Sequence, residues 1–159
     1  MHGNIDEFRG EIRDKTGSSV EPTTCEFKDI PITTEAVIFP GAYGCGMDSV
    51  NFETFTNLKS IVMGSHCFVN IRKLRFENLI SLESIKMGEM CFTTSDDRNP
   101  SSFCYFINCP KLKEIDIGKG SFLAFQELRL EKLPALKSLY LRSSNFVYGN
   151  TFNLIGRKG

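Results

Sequence analysis

The chain has 159 residues, an apolar share of 41%, and 19 basic against 19 acidic residues, for a formal net charge of zero. That is one domain's worth of chain, and its mixed charge argues against a nucleic-acid surface, which needs clustered Lys and Arg, and against polybasic docking on a membrane. No stretch approaches the length of a membrane-crossing helix, so no membrane insertion is expected.

In chain order, residues 1–24 come first and carry no repeat. The start, MHGNIDEFRGEIRDK, is polar and mixed in charge, unlike a secretion signal. There is also no Asn-x-Ser/Thr site with a permitted middle residue. Both favour an intracellular protein, whereas a processed piece of a longer chain would admit the cell surface. Ile5, Phe8 and Ile12 have helical spacing, which predicts a short amphipathic helix over residues 4–14. The following TGSSVEPTT reads as a linker.

From Cys25 onward the chain repeats. LKSIVMGSHCF at residues 58–68 returns as LESIKMGEMCF at 82–92, LKEIDIGKGSF at 112–122 and LKSLYLRSSNF at 136–146, with starts 24, 30 and 24 residues apart. One unit is therefore 24 residues, and one copy carries extra residues. Each unit holds two short segments in which apolar and polar residues alternate, the period of a strand. The first is S-I-V-M at 60–63, S-I-K-M at 84–87, E-I-D-I at 114–117 and S-L-Y-L at 138–141. The second is K-L-R-F at 73–76, C-Y-F at 104–106 and E-L-R-L at 127–130. Between them no stretch is long enough for several helical turns.

The pattern reaches back to Val50, Phe52 and Phe55, then to residues 37–39, and less regularly to Cys25, Phe27 and Ile30. Forward, Phe152 and Leu154 match Leu74 and Phe76. The expected fold is mainly β: a solenoid over residues 25–159 with about five turns of 24 residues and two short parallel strands per turn. Residues 1–24 would cap or link to it. The extra residues fall in 93–102 (TTSDDRNPSS), where Asp96, Asp97 and Arg98 belong to an exposed loop.

The cysteines follow the repeat. Cys67 and Cys91 share a slot with Ser121 and Asn145, while Cys104 and Cys109 stand where neighbouring units have Leu. That predicts buried free thiols acting as small apolar residues, with Cys25 and Cys45 as the exceptions. Gly64, Gly88 and Gly118 each follow the first strand, which suits a corner needing positive φ or a close backbone approach. His2 and His66 are the only histidines and lack a second ligand pair at zinc spacing, so no metal is expected. No nucleotide loop, nucleophile elbow or calcium loop occurs, so neither a cofactor nor a catalytic role is expected.

The run FINCPKLKEIDIG at residues 106–118 resembles the BspA-type leucine-rich repeat, whose units read roughly A-F-x-x-C-x-x-L-x-x-I-x-I-P. Residues 76–88 fit with Leu79 in the Cys slot, and 52–64 fit with Phe55 there. Here the unit is one residue longer, Gly replaces the family's Pro except at Pro40, and the Ala before Phe is absent. The resemblance implies a curved leucine-rich-repeat solenoid with a parallel sheet on its concave side. It also implies use in adhesion or as an interaction scaffold, with no catalytic residues.

Outward positions are where a partner would sit. Exposed Tyr and Arg are favoured at binding hot spots, which singles out the stripe Arg75, Tyr105 and Arg129 on the second strands. Ile107 lies beside Tyr105 and the extra residues, while Tyr140, Val62 and Ile38 form a rival on the first strands. The expected function is a protein–protein interaction module whose partner is another protein. The alternatives are a structural subunit, stacking or continuing through an open solenoid end because nothing after Leu154 resembles a cap, and a cell-surface adhesin.

Overall fold

The computed structural model describes residues 30–43, 49–93 and 101–147, with strand backbone also at 11–13, 19–20 and 151–155. Its strands are β1 (Glu11–Arg13), β2 (Ser19–Val20), β3 (Ala36–Phe39), β4 (Ser49–Asn51), β5 (Ser60–Met63) and β6 (Lys73–Glu77). They continue as β7 (Ser84–Met87), β8 (Phe103–Ile107), β9 (Glu114–Ile117), β10 (Glu127–Glu131), β11 (Ser138–Leu141) and β12 (Thr151–Ile155). Among the described residues there is no helix.

Alternate strands go to opposite sheets. One has the order β11-β9-β7-β5-β3-β1-β2 and the other β12-β10-β8-β6-β4. From β3 to β12 every pairing is parallel, with each strand resting on the strand one unit earlier. Val37, Ile61, Ile85, Ile115 and Leu139 are consecutive partners, so the expected single file of apolar side chains is present. A second file runs Val50, Leu74, Cys104 and Leu128 on the opposite sheet. The two face one another across a core that is fully buried through the middle turns. The extra residues enter between β7 and β8 without disturbing either register.

Phenylalanine fills the space between the sheets in two ladders. Phe52, Phe76 and Phe106 stack with centroids 4.9 Å apart and planes within 9°. Phe68, Phe92, Phe122 and Phe146 do the same at 5.0–5.2 Å and within 12°. The spacing follows the roughly 4.8 Å between strands, so identical residues in identical slots are forced into ring-on-ring contact.

Every Phe of the second ladder has positive φ, between 52° and 55°. That conformation costs a bulky L-residue about 1–2 kcal/mol. It aims the Phe92 amide at the Cys67 carbonyl (2.9 Å) and the Phe122 amide at that of Cys91 (3.0 Å). The strain is thus offset by an inter-turn hydrogen bond and a buried, stacked ring.

The corner glycines act through close approach. An added Cβ at Gly64 would lie 2.7 Å from Gly41 N, and one at Gly88 would lie 2.7 Å from Ser65 N. At Gly118 it would meet the carbonyl of Gly88. Positive φ belongs instead to the slot two residues further on, at His66, Met90, Gly120 and Ser144.

The Cys/Ser/Asn slot does more than fill space. The thiols of Cys67 and Cys91 donate to the Pro40 and Gly64 carbonyls (3.0 and 3.1 Å), the Ser121 hydroxyl to Gly88 (3.2 Å), and the Asn145 amide to Ile117 (3.4 Å). All four side chains carry a donor, which each turn uses to hold the turn before it. Cys109 likewise donates to the Phe76 carbonyl (3.3 Å). Cys67, Cys91, Cys104 and Cys109 are buried free thiols, while Cys25 and Cys45 lie outside the described residues.

Burial raises the thiol of Cys104 well above its ordinary 9.0 and that of Cys109 to about 11. An unfolded chain ionises these thiols near pH 9, whereas the native one keeps Cys109 protonated to about 11. Their contribution to stability is therefore full below pH 9 and falls as the pH climbs towards 11. The urea midpoint should drop between pH 8 and pH 10.5, and by less in Cys109→Ala measured against its own pH 8 value.

One expectation is corrected at the edge of the repeat. The helix over 4–14 is not formed at its described end, because Glu11–Arg13 is a strand antiparallel to β3 that places Ile12 beside Val37. An open sheet edge offers a row of unmet N–H and C=O groups, which outweighs the weak helical spacing of three apolar residues. The remainder of residues 4–14 lies outside the described residues. Within the loop expected over 93–102, Ser101 is exposed and the last residue is not. Ser102 is buried, donating to the Ala124 carbonyl (3.1 Å) and accepting from Gln126 N (3.1 Å).

Charged residues form a ladder on the outside. Glu35, Lys59, Glu83 and Lys113 follow one another from turn to turn, with Lys59–Glu35 at 2.9 Å and Lys113–Glu83 at 2.7 Å. The Lys113 ammonium, bonded to Glu83, holds that carboxyl below its usual range. All four reach solvent, where water and salt screen such pairs, so they add little to stability.

Candidate functional site

β8 differs from its neighbours. The outward positions of β6 and β10 are Lys73, Arg75 and Glu77, and Glu127, Arg129 and Glu131, while those of β8 are Phe103, Tyr105 and Ile107. Register sets Phe103 between Lys73 and Glu127, Tyr105 between Arg75 and Arg129, and Ile107 between Glu77 and Glu131. The outcome is an apolar bar across the sheet, rimmed by charge on both sides. All three bar residues are partly exposed.

Contacts within the bar fix its side chains. Phe103 and Tyr105 stack with centroids 4.3 Å apart. The Arg75 guanidinium lies 4.7 Å from the Phe103 ring and 5.5 Å from the Tyr105 ring, and that of Arg129 lies 5.1 Å from Tyr105. Two cations thus attend one phenol, whose quadrupole attracts both. The Tyr105 hydroxyl donates to Glu127 (2.8 Å); partial burial first, and that bond second, push its ionisation above the ordinary value. Arg75 pairs with Glu77 (2.9 Å) and Arg129 with Glu127 (3.3 Å), while the buried Arg129 Nε has no hydrogen-bond partner among the described residues.

Of the residues singled out by sequence, Arg75, Tyr105 and Arg129 are brought together and Ile107 completes the same face. Tyr140 is not part of it. It stands on β11 of the other sheet, 50% exposed, beside Asp116 and under the Arg142 guanidinium (5.9 Å). The residue that sequence reading missed is Phe103. The extra residues end immediately before it, and β8 begins one residue earlier than the C-Y-F alternation indicates.

Among the described residues, no three His, Cys, Asp or Glu side chains are grouped to hold a metal, and no helix is long and apolar enough to cross a membrane. Comparison with models of protein families, with curated proteins and with solved structures finds no match for this chain.

Proposed function

We propose that this chain is a non-catalytic protein-binding module of the leucine-rich-repeat class it resembles, and that it engages another protein through the face centred on β8. One observation carries the reading. Tyr105 is held on a sheet surface by Phe103 and two arginines, giving a partly exposed aromatic whose geometry is set before any partner arrives. Preorganised Tyr and Arg side chains rimmed by charge are the composition of interface hot spots, because little rotamer freedom remains to be lost on binding.

Affinity capture from the source organism with the native chain and with Tyr105→Ala as parallel baits tests it. Truncating a hot-spot tyrosine costs about 2 kcal/mol or more of binding, roughly a thirtyfold loss. A partner held by the native chain should therefore be lost from the variant, while the thermal melt changes little because Tyr105 lies outside the core. Equal retention of every captured protein by both baits would remove the β8 face as the binding surface.

A further inference from the structure

We propose that the segment the β8 face takes is an extended one, with an acidic residue at the middle of three alternate positions, an apolar residue on one side and a basic residue on the other. This rests on that face being the binding surface. Charge order identifies the occupant. The outward neighbours of Tyr105 are cations on both sides, Arg75 and Arg129, and those of Ile107 are anions on both sides, Glu77 and Glu131. At Phe103 the two sides are opposite in sign, Lys73 and Glu127. Over the whole face these charges cancel, so neither a uniformly acidic nor a uniformly basic partner is selected. What remains is a step along the strand, from a doubly positive row to a doubly negative one about 6.6 Å further on, at about 3.3 Å per residue.

Both rows keep the capacity to bind. The guanidinium groups of Arg75 and Arg129 converge on the Tyr105 ring, at 5.5 and 5.1 Å, so one carboxylate set over the phenol can reach both. Each carries five N–H donors. Arg75 spends one, Nη1, on Glu77, and Arg129 Nε has no hydrogen-bond partner among the described residues. In the acidic row, Arg75 engages Oε1 of Glu77 (2.9 Å) and Lys132 lies 4.0 Å from Oε1 of Glu131. The Oε2 atoms of both carboxylates therefore have no partner among the described residues. A basic side chain of the partner can lay its aliphatic stem along Ile107 and bring its charged head to those oxygens.

The width of the bar sets the shape of the segment. β6 and β10 each lie one strand spacing from β8, so the charged rims stand about 9.6 Å apart. A helix with its side chains is about 10–12 Å across and would ride on the rims. An extended segment fits between them, and every second side chain faces the sheet at the same spacing as the rows. Its apolar residue then meets Phe103, its acid lies between the arginines and its base lies between the glutamates. Exchanging acid and base sets like charges together in both rows, which excludes that order.

A display library of short random peptides, selected on the full native chain and depleted on Tyr105→Ala, tests this. The peptides that depend on Tyr105 should share an apolar, an acidic and a basic residue at alternate positions, with the acid in the middle. A synthetic peptide of that sequence should bind at least about tenfold more weakly once its acid and base are exchanged. Arg75→Glu, Glu77→Arg, Arg129→Glu and Glu131→Arg made together should reverse the preference between the two peptides. The exchange within the peptide needs no altered chain, so it decides the matter whatever the stability of that variant. Tyr105-dependent peptides without the charge order, equal binding of both peptides, or a folded variant that keeps the native preference would overturn the inference and leave the β8 face as the binding surface. A selection that yields no Tyr105-dependent peptide would overturn both.

Discussion

Phe106→Ala should lower the free energy of unfolding by about 3–5 kcal/mol, the range for removing a fully buried phenylalanine. The site cannot collapse to fill the void. Its ring lies 4.9 Å from that of Phe76, and its backbone is held in register with β6 and β10 on both sides. Sheet spacing fixes the hole, so the cost should lie near the upper end of that range. Phe106→Leu should recover most of it, since Leu130 occupies the same slot one turn later. Urea unfolding of the three proteins at pH 7 measures both effects. A loss below about 1 kcal/mol for Phe106→Ala would mean that the ladder is not packed as described.

Gly88→Ala is expected to be nearly as damaging, although it adds a single methyl group. The new carbon would sit 2.7 Å from Ser65 N and 2.8 Å from Gly64 C, both backbone atoms of the preceding turn. Relief requires the turns to separate locally, which stretches the hydrogen bond from Gly88 N to Met63 O (2.8 Å) and that from Cys91 Sγ to Gly64 O (3.1 Å). Overpacking of this kind costs about 3 kcal/mol when backbone must move. The same slot in the outermost turn holds Arg142, whose guanidinium reaches back to Asp116 (3.0 Å). That turn has no described neighbour on its far side and can shift outward. Arg142→Ala should therefore change the urea midpoint little, and a comparable loss from both substitutions would contradict the close-approach account.

Much of the architecture was legible because a 24-residue period in a two-strand unit leaves few ways to align equivalent residues. Ile61, Ile85 and Ile115 could be placed in one file from spacing alone, and Arg75 beside Tyr105 and Arg129 follows from the same arithmetic. Three things were not legible. Phe68, Phe92 and Phe122 adopt positive φ, which no local preference of phenylalanine suggests and which inter-turn bonding imposes. Ile12 joins a strand because an unfilled edge lies near it, a fact of tertiary structure. Phe103 escaped notice because the extra residues interrupt the period immediately before it. The donor role of the Cys67 slot was written in the exchange of Cys for Ser and Asn, but reading it needed the facing carbonyls.

The outer charge ladder bears on how such an array lengthens. Copying one coil alone would set two ammonium or two carboxylate groups on adjacent rungs, beside Lys59 or beside Glu83. Copying two together keeps acid against base as far as Lys113, where Lys137 already follows on the next rung. That lysine pair shows the fold tolerating like charges on adjacent rungs, so surface pairs of this strength bias, and do not forbid, the addition of a single coil.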